Sequence, residues 1–197
     1  MGDLAVDVAK AFSVRLDPAA TRPAKARLLL LSSEVHCVAC YRFGRFARRL
    51  RDRHRLLGAL AVFLHHIWNR WVTHIDGADL SRDAQIGPGL LLMHCDGIHL
   101  GPSAIGANCT LHHNVTIGQG VVGINFRAVP SVGRNVWIGP GSILTGSITI
   151  GDGVTISAGT VLSKSVSPGC LVGGNPGRVI AQHYDNGELL GFDVDRR

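Results

Sequence analysis

The stretch Val132-Gly-Arg-Asn-Val-Trp-Ile138-Gly-Pro-Gly-Ser-Ile-Leu144-Thr-Gly-Ser-Ile-Thr-Ile150-Gly-Asp-Gly-Val-Thr-Ile156-Ser-Ala-Gly-Thr-Val-Leu162 decides how this chain is read. An aliphatic residue returns at every sixth position from Val132 to Leu162. A helix repeats every 3.6 residues and a strand every 2, so neither alone sustains a period of six. A triangular coil does: each hexapeptide is one short flat strand plus a corner, and three make a turn. The aliphatic side chain points into the prism. Small residues such as Gly139, Asp152 and Ser157 sit where the backbone bends.

Upstream the same beat runs through Ile86, Leu92, Ile98, Ile105, Leu111 and Ile117, with one step of seven. Twelve hexads predict about four coils. Burying each central side chain contributes roughly 1.5–3 kcal/mol before chain entropy is counted, so the stack is the main stabilising element. Between Ile117 and Val132 the step is 15, nine residues too long. The surplus predicts a loop within 119–131 that leaves the prism, and protruding loops on a rigid solenoid commonly build binding sites.

Before residue 77 the pattern is helical. Residues 1 to about 26 are polar, contain Pro18 and Pro23, and are expected to be loosely ordered. From Leu28, apolar residues at Val35, Val38, Phe43, Phe46 and Leu50 recur at helical spacing. Leu56, Leu60, Phe63, Leu64, Ile67 and Trp71 then form a second apolar stripe. The expectation is a helical hairpin packed on the main domain or a partner subunit. The division is a helical region over 1–76, a coil domain over 77–168 with its loop at 119–131, and a C-terminal loop and tail over 169–197.

The net charge of +6 comes from one place: residues 41–55 hold seven arginines against the single acid Asp52. Such a patch can attract nucleic acid, anionic lipid or a phosphorylated ligand. A solvated helix face is the expectation; peripheral membrane contact stays open, and no nucleic-acid partner is expected. Cys37 and Cys40 form an unmatched CxxC among five irregularly spaced cysteines, which supports neither a zinc ribbon nor a thioredoxin-like motif. No signal-peptide pattern opens the chain, and the apolar run Leu56 to Leu64 is too short for a membrane span, so a cytoplasmic location is expected.

Aligning the coils places Leu92, Leu111, Ile138 and Ile156 in one stack. Two residues beyond each lie His94, His113, Pro140 and Ala158. His94 and His113 are therefore expected on one edge, one coil apart at about 4.8 Å of strand spacing, with small residues continuing below them. An extended thioester arm would fit such a groove.

Three segments carry a resemblance. Gly89-Leu-Leu-Leu-Met-His94-Cys-Asp-Gly97 is similar to G-[IL]-x-[LI]-D-H-A-T-G, and Asn114-Val-Thr-Ile-Gly118 to x-V-T-[LI]-G. Gly173-Gly-Asn-Pro-Gly-Arg-Val-Ile180 is similar to G-x-P-A-R-[IV]-[IV]. These motifs belong to the hexapeptide-repeat acyltransferases, in the serine acetyltransferase-like branch. Tyr41-Arg-Phe-Gly-Arg45 further resembles the Y-R-x-[AG]-R helix of that branch's polysaccharide and natural-product relatives.

The resemblance implies a left-handed coil and a homotrimer with active sites between subunits; pairing of trimers through the N-terminal helices stays open. It implies acetyl-CoA as cosubstrate, a small-molecule alcohol as acceptor and no metal. It makes His94 the base that takes the acceptor's proton, a task suited to an imidazole, whose ordinary pKa is about 6.5. Asp79 orients that ring, with His113 a further candidate beside it. Gly118, Pro140, Ala158 and Lys164 line the coenzyme groove, and the loop ending at Arg178 closes over it.

Two departures narrow the acceptor. Met93 stands where the branch has an aspartate that helps hold serine. Ala128 and Val129 precede Pro130 where the serine enzymes carry an arginine and a histidine. With Asp96 and Phe126 as further acceptor contacts, an alcohol less charged than serine, such as a sugar or natural-product hydroxyl, is the expectation. Serine O-acetylation proper is the alternative. A γ-type carbonic anhydrase is the rival from another class, since His94 and His99 have its five-residue spacing and His113 stacks nearby. His112, like His99, is expected at the surface or an interface; His65, His66 and His74 are expected to pack half-buried in or after the helices.

Overall fold

The computed structural model describes residues 2–120 and 128–194. Its body is a left-handed parallel β-helix of about five turns, preceded by four helices. The helices are α1 (Asp3–Arg15), α2 (Arg22–Leu31), α3 (Ser33–Arg53) and α4 (Arg55–Trp71), followed by a π-helical turn over Val72–Asp76. The first turn of the prism is β1 (Asp79–Leu80), β2 (Gln85–Ile86) and β3 (Leu91–Met93), and the second is β4 (His99–Leu100), β5 (Ala104–Ile105) and β6 (Thr110–His112). The third is β7 (Thr116–Gly118), β8 (Ser131–Val132) and β9 (Trp137–Ile138); the fourth is β10 (Ile143–Thr145), β11 (Thr149–Ile150) and β12 (Thr155–Ile156). A fifth turn contains β13 (Val161–Leu162), an isolated bridge at Val166 and β14 (Leu171–Gly173). Antiparallel β15 (Arg178–Ala181) then ends one sheet.

The stack Leu92–Leu111–Ile138–Ile156 has the expected register and continues to Val172. The third face corrects one rung. Its stack is Leu80, Leu100, Ile117, Leu144 and Leu162, so Leu100 takes the place expected of Ile98. Ile98 is fully buried two residues earlier. Across the corner between these faces the pairing offset falls from 19 (Leu92 with Leu111) to 17 (Leu100 with Ile117), so the His94 corner holds two extra residues. His94 itself takes a left-handed backbone, with φ 62°, a conformation uncommon for non-glycine residues but one that histidine adopts more readily than most.

The helical region differs more. Residues expected to be loose form α1 and α2. The buried positions of α1 include Asp7 and Lys10, which hydrophobic periodicity cannot reveal. Asp7 accepts hydrogen bonds from the Gly89 and Leu90 amides, both at 2.8 Å, and from Arg42 Nε at 2.8 Å. Lys10 Nζ donates to the Cys109 carbonyl at 3.2 Å, and burial lowers its pKa to about 8.

Nor is the arginine-rich helix simply a solvated face. Arg42 donates to the carbonyls of Ile86 and Gly87, Arg45 to that of Ala84, and Arg48 pairs with Asp83. Tyr41 Oη donates to the Ala84 carbonyl and accepts from the Ile86 amide. Gly44 lets α4 approach: a Cβ there would lie 2.3 Å from His65 Nε2. The Tyr41-Arg42-x-Gly44-Arg45 motif is thus the clasp between hairpin and prism. Of the two expected uses of the α4 apolar stripe, packing on the main domain or on a partner subunit, the first does not hold within the chain. Leu56, Leu60, Phe63 and Trp71 are exposed, while Gly58, Ala61 and His65 are buried.

Candidate active site

Strand register builds one edge of the prism. His94, His113, Pro140, Ala158 and Gly174 fall at equivalent positions in five successive turns. Backbone bonds tie the edge: Gly141 N donates to the His113 carbonyl at 3.0 Å and Gly159 N to the Pro140 carbonyl at 2.8 Å. The imidazoles of His94 and His113 lie edge to face, 5.9 Å between centroids. His94 is exposed; His113 is half-buried, and its Nδ1 is shielded from solvent without a hydrogen-bond partner. His112 leaves the edge and packs on Trp137 at 4.6 Å, with its pKa lowered by burial and by the neighbouring His113 and His94.

Below the imidazoles the edge is small and open. A Cβ at Gly159, next to Ala158, would meet nothing within 4 Å, and the same holds of Gly118 and Gly146 at the end of the β7 and β10 face. Pro140 and Ala158 add no long side chain, while Lys164 and Arg178 are exposed cations toward the far end of the coil. The Gly174–Gly177 loop folds back onto β13: Val161 N donates to the Gly174 carbonyl and Gly177 N to the Val161 carbonyl.

Not every expected residue joins His94. Asp79 is exposed on β1 with His99 as its register partner, and no hydrogen bond or ion pair links it to His94 among the described residues. Met93 is half-buried beside His112. Asp96 does share a cavity with His94. Phe126 lies outside the described residues, as does most of the loop expected at 119–131. Among the described residues, no three histidine, cysteine or acidic side chains converge as metal ligands would.

That cavity, about 620 Å³, leaves no mark in the sequence because its other wall comes from the N-terminal helices. Arg15, Arg27, Glu34 and Asp76 all line it. Arg15 pairs with Glu34 at 3.0 Å and donates through Nη2 to the Leu92 carbonyl at 3.0 Å, two residues before His94. Burial alone would raise the Glu34 pKa, but hydrogen bonds from Arg15 and Ser32 overcome it and hold the carboxyl at about 2. A charge at a helix end leaves no periodic trace in a sequence; only the docking of α1 and α2 reveals these residues.

Comparison with known proteins agrees with this architecture. Residues 130–164 match the family model "Bacterial transferase hexapeptide (six repeats)". A serine acetyltransferase of Helicobacter pylori is 33% identical over 139 residues, covering 69% of this chain and 73% of the relative. A Brucella abortus serine acetyltransferase solved in complex with Coenzyme A superposes with TM-score 0.74 at 25% identity, covering 91% of this chain and 66% of that one. A Neisseria gonorrhoeae serine acetyltransferase solved in complex with serine gives 0.71 at 27%, covering 91% and 68%. With a relative one-third identical along nearly three-quarters of its length, and with the hexad coil in both sequence and structure, the chain belongs to the hexapeptide-repeat transferases, in their serine acetyltransferase-like branch.

Proposed function

We propose that this chain is an acetyl-CoA-dependent O-acetyltransferase whose acceptor is L-serine or a molecule built like it, with His94 as the base. The carrying observation is the edge His94–His113–Pro140–Ala158, headed by an exposed imidazole and open along its small residues. Membership of the branch supports the transferase reading. Relatives named serine acetyltransferase support serine over the sugar or natural-product alcohol suggested by Met93.

Acetyl-CoA supplies an activated acetyl carbon and a thiol leaving group. The residues present fit it: the orphaned Nδ1 of His113 offers a polar contact, the small residues Pro140, Ala158 and Gly159 leave room for an extended arm, and Lys164 and Arg178 can meet phosphates. His94 accepts the acceptor's O–H proton as the oxygen attacks the acetyl carbon. It returns the proton to sulfur as the C–S bond breaks, so the products are an acetyl ester and free CoA thiol. Asp79 is retained as the orienting carboxylate in a homotrimer whose subunits share each site, and the same trimer would cover part of the groove. A cytoplasmic location accompanies this reading; among the described residues no helix is long and apolar enough to cross a membrane.

A second reading rests on Met93. A half-buried thioether in place of a carboxylate favours an uncharged alcohol over a zwitterion. One assay separates the two: thiol release from acetyl-CoA with L-serine, simple sugars and short alcohols, wild type against His94→Ala. Release that depends on L-serine and falls at least about 100-fold in the variant supports the main reading. Release only with uncharged alcohols supports the second. Release unaffected by His94→Ala would remove the proposed base.

A further inference from the structure

The helix α4 presents to solvent the side chains that a core would hide. Leu56, Leu60, Phe63, Leu64, Ile67 and Trp71 are all exposed, Leu56 at 88% and Trp71 at 63%. At 3.6 residues per turn they fall within an arc of about 100° and run for about 22 Å along the helix. Gly58, Ala61 and His65 face another way and seat α4 on α3, where a Cβ at Gly58 would fall 2.0 Å from the Arg51 Cα. No acid occurs between Asp52 and Asp76. Arg55, His66 and Arg70 instead form an exposed flank beside the stripe. Arg49, Arg51, Arg53, Arg55 and Arg70 are exposed and enter no ion pair among the described residues. Phe46 and Trp68 carry the apolar surface into a groove of about 420 Å³ that Arg45 and Arg49 also line.

We propose that α4 and the end of α3 form a docking surface for an anionic lipid bilayer, with α4 lying in the plane of the membrane surface. The docking is independent of acyl transfer. The helix lies on the bilayer and does not span it, since no described helix is long and apolar enough to cross. Leucine, phenylalanine and tryptophan on one side with arginine on the flank is the composition of helices that rest at this boundary. Acyl chains take the stripe while headgroup phosphates take the arginines, whose planar forks match phosphate oxygens. The groove beside Trp68 joins an apolar wall to two cations, as a lipid headgroup joins its chains. A second copy of this chain suits the surface less well. Two such faces would set arginine against arginine, with Asp52 the one acid from Arg42 to Arg70 to offset them.

The test is co-sedimentation of the full chain with vesicles of phosphatidylcholine alone, or of phosphatidylcholine with about one-third phosphatidylglycerol. Partitioning onto the anionic vesicles should exceed that onto the neutral ones by about tenfold or more, and should weaken as salt rises. Leu60→Ser combined with Phe63→Ser should lower the partition coefficient at least about tenfold. Arg51→Gln combined with Arg55→Gln should lower it about 20-fold, at roughly fivefold for each cation near the surface. These side chains are exposed, so circular dichroism of both variants should match wild type. Lipids brominated in the acyl chain should quench tryptophan emission. Trp68→Phe combined with Trp71→Phe should remove that quenching, because Trp137 lies in the prism. Equal partitioning onto neutral and anionic vesicles, or none onto either, overturns the inference. Partitioning moved less than about twofold by the Leu60 and Phe63 variant also overturns it. A smaller assembly for that variant than for wild type, in light scattering without lipid, overturns it in favour of a second copy.

Discussion

Replacing Asp7 with alanine tests how the helical region is held in place. The Asp7 side chain is 3% exposed and accepts from two amides at 2.8 Å and from Arg42 Nε and Nη2 at 2.8 and 3.1 Å. Truncation strands the Gly89 and Leu90 N–H groups, each costing about 1–3 kcal/mol if left unsatisfied. It also strips Arg42, 8% exposed in its side chain, of its main counter-charge. Two offsets reduce the sum. Arg42 keeps the Ile86 and Gly87 carbonyls, both at 2.7 Å, and the desolvation that raises the Asp7 pKa is relieved. The net expectation is about 3–5 kcal/mol, as for other buried pairs broken on one side. Asp7→Asn, which keeps shape and acceptor, should lose less. Urea unfolding followed by circular dichroism measures both, and a cycle with Arg42→Met isolates the pair. A loss under about 1 kcal/mol in Asp7→Ala would refute the claim that this carboxylate clamps α1 to the prism.

Four further outcomes follow from named contacts. Glu34 titrates in the fold at about 2 rather than its ordinary 4.5. Its stabilisation is therefore complete above about pH 4.5 and is lost as pH falls toward 2; urea midpoints should show this slope, on the order of 2 kcal/mol, and Glu34→Gln should flatten it. Lys10 titrates at about 8 rather than 10.5, so the unfolded chain binds the extra proton and stability rises with pH across that window. Lys10→Met should remove this slope in the same measurement. Gly44→Ala drives a methyl into the His65 ring and should lower stability by about 1–3 kcal/mol, partly regained on adding His65→Ala; thermal melts decide. Met93→Asp should raise kcat/KM for L-serine about tenfold if an added carboxylate reaches the ammonium group. No change there would place Met93 outside the acceptor's reach.

The prism was legible because each rung from Val132 to Leu162 is an aliphatic residue at an undisturbed interval of six. Where the interval breaks, the sequence no longer marks which residue forms the rung. Ile98 and Leu100 are both aliphatic and both buried, so no hydropathy signal shows which one faces the stack. The two-residue expansion at the His94 corner decides it, and that expansion appears only in the strand pairing. The His94–His113 edge survived the slip because it depends on the neighbouring stack, whose register held. The helix α1 stayed hidden because buried Asp7 and Lys10 hold it, and α2 because it buries no residue. Arg15 and Arg27 could not be assigned to the cavity until those helices had a place to dock.

The most direct test of the central claim is a crystal structure with CoA bound. The pantetheine is expected to lie along Pro140 and Ala158, with its sulfur within about 5 Å of the His94 imidazole, one reacting atom away from proton transfer. A sulfur bound on another face of the prism, with His94 facing solvent or a partner subunit alone, would contradict it.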